Sequence, residues 1–136
     1  MKLEDLNDQL DNDLKIDSSK LQWEASNNPL VYSKWLRVYS AIKKEILAQE
    51  AAKKVLVKKR LDYYTGRSDD EISMVSYEKS EMKTVMSADS EILKIETKLQ
   101  YYMILLDFAT RALDIVKSRG FSIKHMIDIR SLEAGQ

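Results

Sequence analysis

The sequence predicts an all-α protein with a long basic middle helix and a C-terminal heptad helix, and three observations predict it. Only three glycines and one proline interrupt 136 residues, so helix-forming stretches run long. No alternating run of β-branched residues is bounded by turn chemistry, which leaves strand signals nearly absent. Apolar residues instead recur at spacings of three and four, the mark of a buried helix face. The length fits a single domain over 1–136; a monomer of this size buries only a modest core, so assembly would help it.

Leu3, Leu6, Leu10 and Leu14 define a first short amphipathic helix. Asp17 and Ser18 can cap a second. Asn28 and Pro29 allow two readings: a new helix capped by Asn28 with Pro29 in its first turn, or one long helix kinked at Pro29. The pattern then runs to Tyr64 with Gly66 as a natural stop, so the basic helix is placed at 28–66. Residues 67–76 read as a loop. Helical pattern resumes near Tyr77, and Ser87 and Asp89 mark either a break or a new cap. The helix that follows is expected to end at Gly120. Ser122 then caps a last helix with Ile123, Met126, Ile127 and Leu132 on its apolar side.

The C-terminal helix carries the strongest pattern. Ile92, Ile95, Leu99, Tyr102, Leu106, Ala109, Leu113 and Val116 alternate spacings of three and four without a miss, which is a heptad seam. Leu93, Met103, Leu105, Phe108, Ala112 and Ile115 widen it beyond one stripe, so this helix must meet more than one neighbour. An intramolecular bundle core would satisfy it, and so would packing between subunits. The small size of the rest of the chain tilts the reading towards self-association, with 87–134 as the oligomerisation helices.

The formal charge is zero but segregated. Residues 1–30 carry three bases and seven acids, residues 31–67 ten bases and three acids, and residues 68–136 nine bases and twelve acids. Positive potential is therefore concentrated in the middle segment. A solvated surface is the bland reading of such a run, but ordinary surface helices mix their signs. At about 100° per residue, Trp35, Ile42, Ile46, Leu56 and Tyr64 share a packing face, while Lys34, Arg37, Lys43, Lys44, Lys54, Lys58 and Lys59 lie opposite. Lys53 and Arg60 project from the apolar stripe. Their stems could simply pack inward with the heads at the edge, or they could reach phosphates at a boundary. Phosphate binding takes several cations along one path, and unpaired strands also offer bases to aromatic faces. Lys43, Lys44, Lys54, Lys58, Lys59, Arg60 and Arg67 are thus the candidate cations, and Tyr63 the candidate base platform. Tyr64, on the apolar face, reads more readily as core.

Catalysis finds little support. Three glycines build neither a phosphate-cradling loop nor a dinucleotide fingerprint. The absence of cysteine excludes disulfides and thiolate metal sites and fits a reducing cytoplasm. The single histidine, His125, stands near the chain end, and no His/Asp/Glu cluster suggests a metal. Acidic pairs such as Glu78 and Glu81 sit in mixed-charge helices. No apolar run reaches the roughly 18 residues that span a bilayer, and the acidic start Met1–Asp13 lacks the basic, apolar character of a signal peptide. The expectation is a binder rather than an enzyme, with no cofactor, no metal and no membrane.

The segments LDYYTGR (61–67), YEKSEMKTV (77–85), KSRGFSIKH (117–125) and EAGQ (133–136), with YSKWL (32–36), IKKE (42–45) and LQYY (99–102), occur in order over essentially the whole chain. Together they closely resemble the UvsY recombination mediator protein family of T-even-type bacteriophages. The resemblance implies homo-oligomeric rings of six or seven subunits assembled through C-terminal helices. It also implies binding of single-stranded DNA, of a RecA-like phage recombinase and of the phage helix-destabilising single-stranded-DNA-binding protein, in the cytoplasm of the infected bacterial host. A family motif tied to DNA binding, basic–x–basic followed by leucine, matches Val57-Lys58-Lys59-Arg60-Leu61. Lys58 and Arg60 carry over; Val57 stands where leucine is expected, Lys59 is an added base, and Pro29 also departs from the family pattern. A reading of a different class remains beside it: a helical protein–protein scaffold whose basic segment serves an acidic partner rather than DNA.

Overall fold

The computed structural model describes residues 1–135 and is all-α, with no strand among them; Gln136, the last residue of the EAGQ segment, lies outside the described residues. In chain order the elements are α1 (Leu3–Asp13), α2 (Leu21–Thr65), α3 (Met82–Ser87) and α4 (Ser90–Ala134). Both α2 and α4 are 45 residues long, about 68 Å at the helical rise. Two compact units divide the chain. One comprises Met1–Ile42 with the chain from Leu105 on, and the other Lys43–Ile104.

In the first unit, Leu6 and Leu10 of α1 are buried with Leu21, Trp35 and Ile42 of α2 and Leu105, Ala109, Ala112, Val116 and Ile123 of α4. Trp35 meets Phe108 edge-on at 6.0 Å between centroids, a favoured geometry for paired rings. Its indole Nε1 donates to Asp13 Oδ2 at 3.0 Å, and Lys34 Nζ donates to the same oxygen at 2.7 Å. The end of α1 is thereby tied to α2.

A buried polar cluster fastens α2 to α4 in the same unit. Arg119 Nη1 donates to Asn28 Oδ1 at 2.7 Å, and Nη2 donates to the Lys15 carbonyl at 2.7 Å and to Glu24 Oε2 at 3.0 Å. Asn28 Nδ2 donates in turn to the Val116 carbonyl at 3.0 Å. This cluster bears on two points of the sequence reading. First, of the two readings at Pro29 the single long helix holds: α2 begins at Leu21 and passes through Pro29, so neither Asn28 nor Pro29 starts a new helix. A proline inside a helix costs about 3 kcal/mol. Glu24 and Asn28, just before it, are held by Arg119, and Trp35, just after it, is wholly buried. Second, Gly120 does not end a helix and Ser122 does not cap one, because α4 runs through both. Gly120 serves a close approach instead: a Cβ there would lie 2.8 Å from Asn28 Nδ2. Asp17, expected to cap the second helix, closes a turn before it by accepting from Ser19 N at 2.9 Å and Ser19 Oγ at 2.6 Å. Those bonds hold its carboxyl below the ordinary range.

In the second unit, α2 ends as Gly66 predicts. Gly66 adopts φ 76°, Arg67 N donates to the Asp62 carbonyl at 2.8 Å, and Gly66 N donates to the Tyr63 carbonyl at 3.4 Å. That pair of bonds is a Schellman cap, which a left-handed glycine completes. The chain loops back through Ser73, whose N donates to the Tyr63 carbonyl at 3.0 Å. The short α3 follows. Asp89 then caps α4, its Oδ1 accepting from Glu91 N and Ile92 N, both at 3.0 Å. Both readings of the 87–89 region are realised there, a break after α3 and a new cap.

The heptad seam is partly used within the chain. In the second unit Ile92 and Leu99 are buried, Ile95 and Tyr102 half-buried, and Leu93, Met103 and Ile104 exposed. In the first unit Ala109 and Val116 are buried, Leu106 and Leu113 half-buried, and Ile115, Phe121, Ile129 and Leu132 exposed. No helix among the described residues is long and apolar enough to cross a membrane.

Candidate nucleic-acid interface

The last three turns of α2 and the turn after it carry the densest cationic surface. Lys54 and Lys58, four residues apart, are neighbours on the helix surface, Lys59 lies one residue further round, and the Gly66 cap folds Arg67 and Ser68 back beside them. These five residues, with Val55, Asp62, Asp69 and Asp70, line an open groove of about 510 Å³. Lys58 is 77% exposed and its Nζ donates to Asp62 Oδ2 at 2.8 Å. That hydrogen bond holds the Asp62 carboxyl below its ordinary range, aided by the charges of Lys58 and Arg67. Exposed pairs of this kind contribute little to stability, so Lys58 can exchange its carboxylate for a phosphate at small cost. Lys54 and Lys59 are exposed with no ion pair among the described residues. Arg67 Nε lies 3.7 Å from Asp62 Oδ1 and stays largely in solvent.

Other sequence candidates go elsewhere. Lys43 and Lys44 are exposed but stand about three turns back along α2 from Lys54 and do not line the groove. Lys53 is paired with Glu96 at 3.2 Å. Arg60 is only 20% exposed: its Nε donates to Asp89 Oδ2 at 2.8 Å and lies 3.7 Å from Glu91 Oε2. Its guanidinium sits 4.3 Å from the Tyr63 ring centroid and 5.4 Å from that of Tyr64. The head groups of both Lys53 and Arg60 are thus held by carboxylates at or near the start of α4. Tyr63 is half-buried, edge-on to Tyr64 at 5.0 Å, and its ring lies against Arg60 rather than in the groove.

Asp89, 2% exposed, is the centre of this second cluster. It accepts from Arg60 Nε and, at 2.6 Å, from Tyr64 Oη, while its other oxygen caps α4. Burial alone would raise its pKa, but the hydrogen bonds from Tyr64, the Ile92 amide and Arg60 prevail and lower it. For Tyr64 the bond to Asp89 acts with burial to raise the phenol. The sequence signals Asp89 as a cap but not as the partner of Arg60, because the pairing spans 29 residues and no local pattern encodes it. Asp69 and Asp70, which set an acidic rim on the groove, read from sequence only as loop. Among the described residues no acidic or histidine cluster could hold a metal ion. The arrangement can hold a polyanion electrostatically.

Residues 9–136 match the family described as recombination, repair and ssDNA binding protein UvsY. The chain is 62% identical to the recombination protein uvsY of Enterobacteria phage T4, over 137 residues and the full length of both. Crystal structures of the bacteriophage T4 recombination mediator protein UvsY share the fold. In lattice type II the TM-score is 0.87 at 62% identity, covering 98% of each chain. In lattice type IV it is 0.88 at 59% identity, covering 97% of this chain and 99% of the other.

Proposed function

Because the chain belongs to the UvsY family of recombination, repair and single-stranded-DNA-binding proteins, we propose that it is a non-enzymatic recombination mediator. It binds single-stranded DNA and loads a RecA-like phage recombinase onto strands covered by the helix-destabilising protein, in the cytoplasm of the infected host. The observation that carries this reading is the groove of Lys54, Lys58, Lys59 and Arg67. Four cations along one open path suit a phosphate backbone, and releasing the strand's counterions drives the association. Residues 28–66 act as the DNA-binding helix and 87–134 as the assembly helices.

A ring of six or seven copies repeats the groove around a symmetric particle. Linked weak sites gain effective concentration, so each groove need bind only modestly. A strand held along several grooves is kept extended for the recombinase while the helix-destabilising protein is displaced, and no bond need be broken. Assembly draws on the apolar side chains of α4 that the chain leaves exposed.

Titration of a labelled oligonucleotide across a salt series tests the reading. Binding should weaken steeply with salt, and Lys58→Ala should reduce the log–log slope by about 0.7, the value for one phosphate contact on a single strand. An unchanged slope in a folded, assembled variant would remove Lys58 from the strand path. No binding by the native protein at low salt would favour the protein–protein scaffold instead. A second expected outcome concerns assembly. Phe121 is 66% exposed, so Phe121→Asp should leave the subunit folded and reduce the particle's mass in sedimentation. Full-size particles would exclude this face from the subunit contact.

A further inference from the structure

Next to the basic groove lies a second cavity that the phosphate contacts leave unused. It encloses about 650 Å³ between the end of α2 and the 73–82 segment, within the usual size of small-ligand pockets. Its walls are Leu61, Tyr64, Val75, Tyr77 and Met82, with Arg67 and Lys79 contributing cations. Arg67 lines both this cavity and the basic groove. Tyr64 and Tyr77 meet edge-on at 6.0 Å, and Met74, also lining the cavity, is 99% exposed.

We propose that this cavity is a nucleobase pocket: it receives an unstacked base of the strand whose phosphates lie along Lys54, Lys58, Lys59 and Arg67. The inference rests on the strand-binding reading above and extends it from backbone to base. Continuity through Arg67 is what selects the occupant. A chain of phosphates passing that guanidinium carries its bases within reach of the aromatic and apolar walls. A base is also the part of a polynucleotide with an apolar face to bury, and base–aromatic stacking is tolerant of sequence. The pocket therefore favours unpaired strands, because a duplex keeps its bases within the stack and its phosphates alone outside.

The test compares two oligomers of equal length on the full protein, one of thymidylate and one abasic throughout, so that backbone charge is held constant. The native protein should bind the abasic oligomer at least roughly five-fold more weakly, the low end of what one lost stacking contact gives. Tyr77→Leu, which keeps apolar volume but removes an aromatic wall, should weaken only the base-bearing oligomer and bring the two affinities together. Lys58→Ala should weaken both alike. Equal binding of the two oligomers by the native protein would overturn the pocket while leaving the phosphate groove standing. Failure of the native protein to bind either would overturn the strand-binding reading, and the pocket with it. Should Tyr77→Leu fail to fold, the comparison on the native protein still decides.

Discussion

Asp89→Ala should cost about 3–5 kcal/mol of stability, the range for removing one partner of a buried ion pair, and lower the melting temperature by on the order of 10 °C. The substitution takes three things away together. The Arg60 guanidinium loses its 2.8 Å partner and keeps Glu91, at 3.7 Å, as its remaining ion-pair partner. Tyr64 Oη loses its 2.6 Å acceptor. The first turn of α4 loses the carboxylate that its Glu91 and Ile92 amides donate to, a cap worth about 1 kcal/mol alone. Denaturant unfolding at fixed protein concentration measures it, and a loss under 1 kcal/mol would show that Asp89 does not staple α2 to α4 in this unit. The same geometry separates Arg60 from Lys58. Arg60→Ala should destabilise the fold first and weaken DNA binding through that, whereas Lys58→Ala should weaken DNA binding in a fully stable protein.

Asp89 also gives this staple a pH dependence with a definite sign. Its carboxyl is lowered in the folded chain, so folding favours the ionised form. The stabilisation is complete above the ordinary aspartate value of about 3.9 and is lost as the pH falls through the lower folded value. Asp89→Asn should remove that component, making the variant's stability less sensitive to acid than the native protein's below about pH 4.

How much of this was legible in the sequence depends on the range of the interaction concerned. The Gly66 stop, the Asp89 cap and the 67–76 loop follow from local chemistry, since each needs only neighbours a few residues away. The cations Lys54, Lys58, Lys59 and Arg67 were likewise visible as a charge-segregated run, and the structure gathers all four on one groove. Gly120 and Ser122 misled the reading, and Pro29 left two readings open, because tertiary contacts decide over local preference at these positions. Gly120 has the composition of a helix stop, yet its missing side chain makes room for Asn28. Pro29 breaks helices in isolation, but here it is flanked by residues that α4 holds. The fate of Arg60 was hidden for the same reason. Its motif resembles a DNA contact alongside Lys58 and its place on the apolar stripe suggests packing, but its pairing with Asp89 comes from a distant segment that no local pattern reveals.

The second large effect is expected at Arg119, where Arg119→Met should destabilise the protein by about 3–5 kcal/mol. The arginine and Glu24 are both nearly solvent-free, at 4% and 5% side-chain exposure. Removing the cation leaves the Glu24 carboxylate still accepting from the Asp17 amide at 2.9 Å but without a counter-charge, and strips Asn28 Oδ1 and the Lys15 carbonyl of their Arg119 donor. The native arrangement is itself imperfect, because Arg119 Nε is buried without a hydrogen-bond partner. A buried pair of this kind is costly to break but not costly to replace. Adding Glu24→Leu to Arg119→Met should therefore recover part of the loss, with a favourable coupling in the double-mutant cycle. Additive losses in chemical denaturation, measured at one protein concentration so that assembly does not shift the midpoint, would mean that the two side chains do not act as a pair. In that event the passage of α2 through Pro29 would rest on the packing of Leu21 and Trp35 and on the Asn28 bond to the Val116 carbonyl.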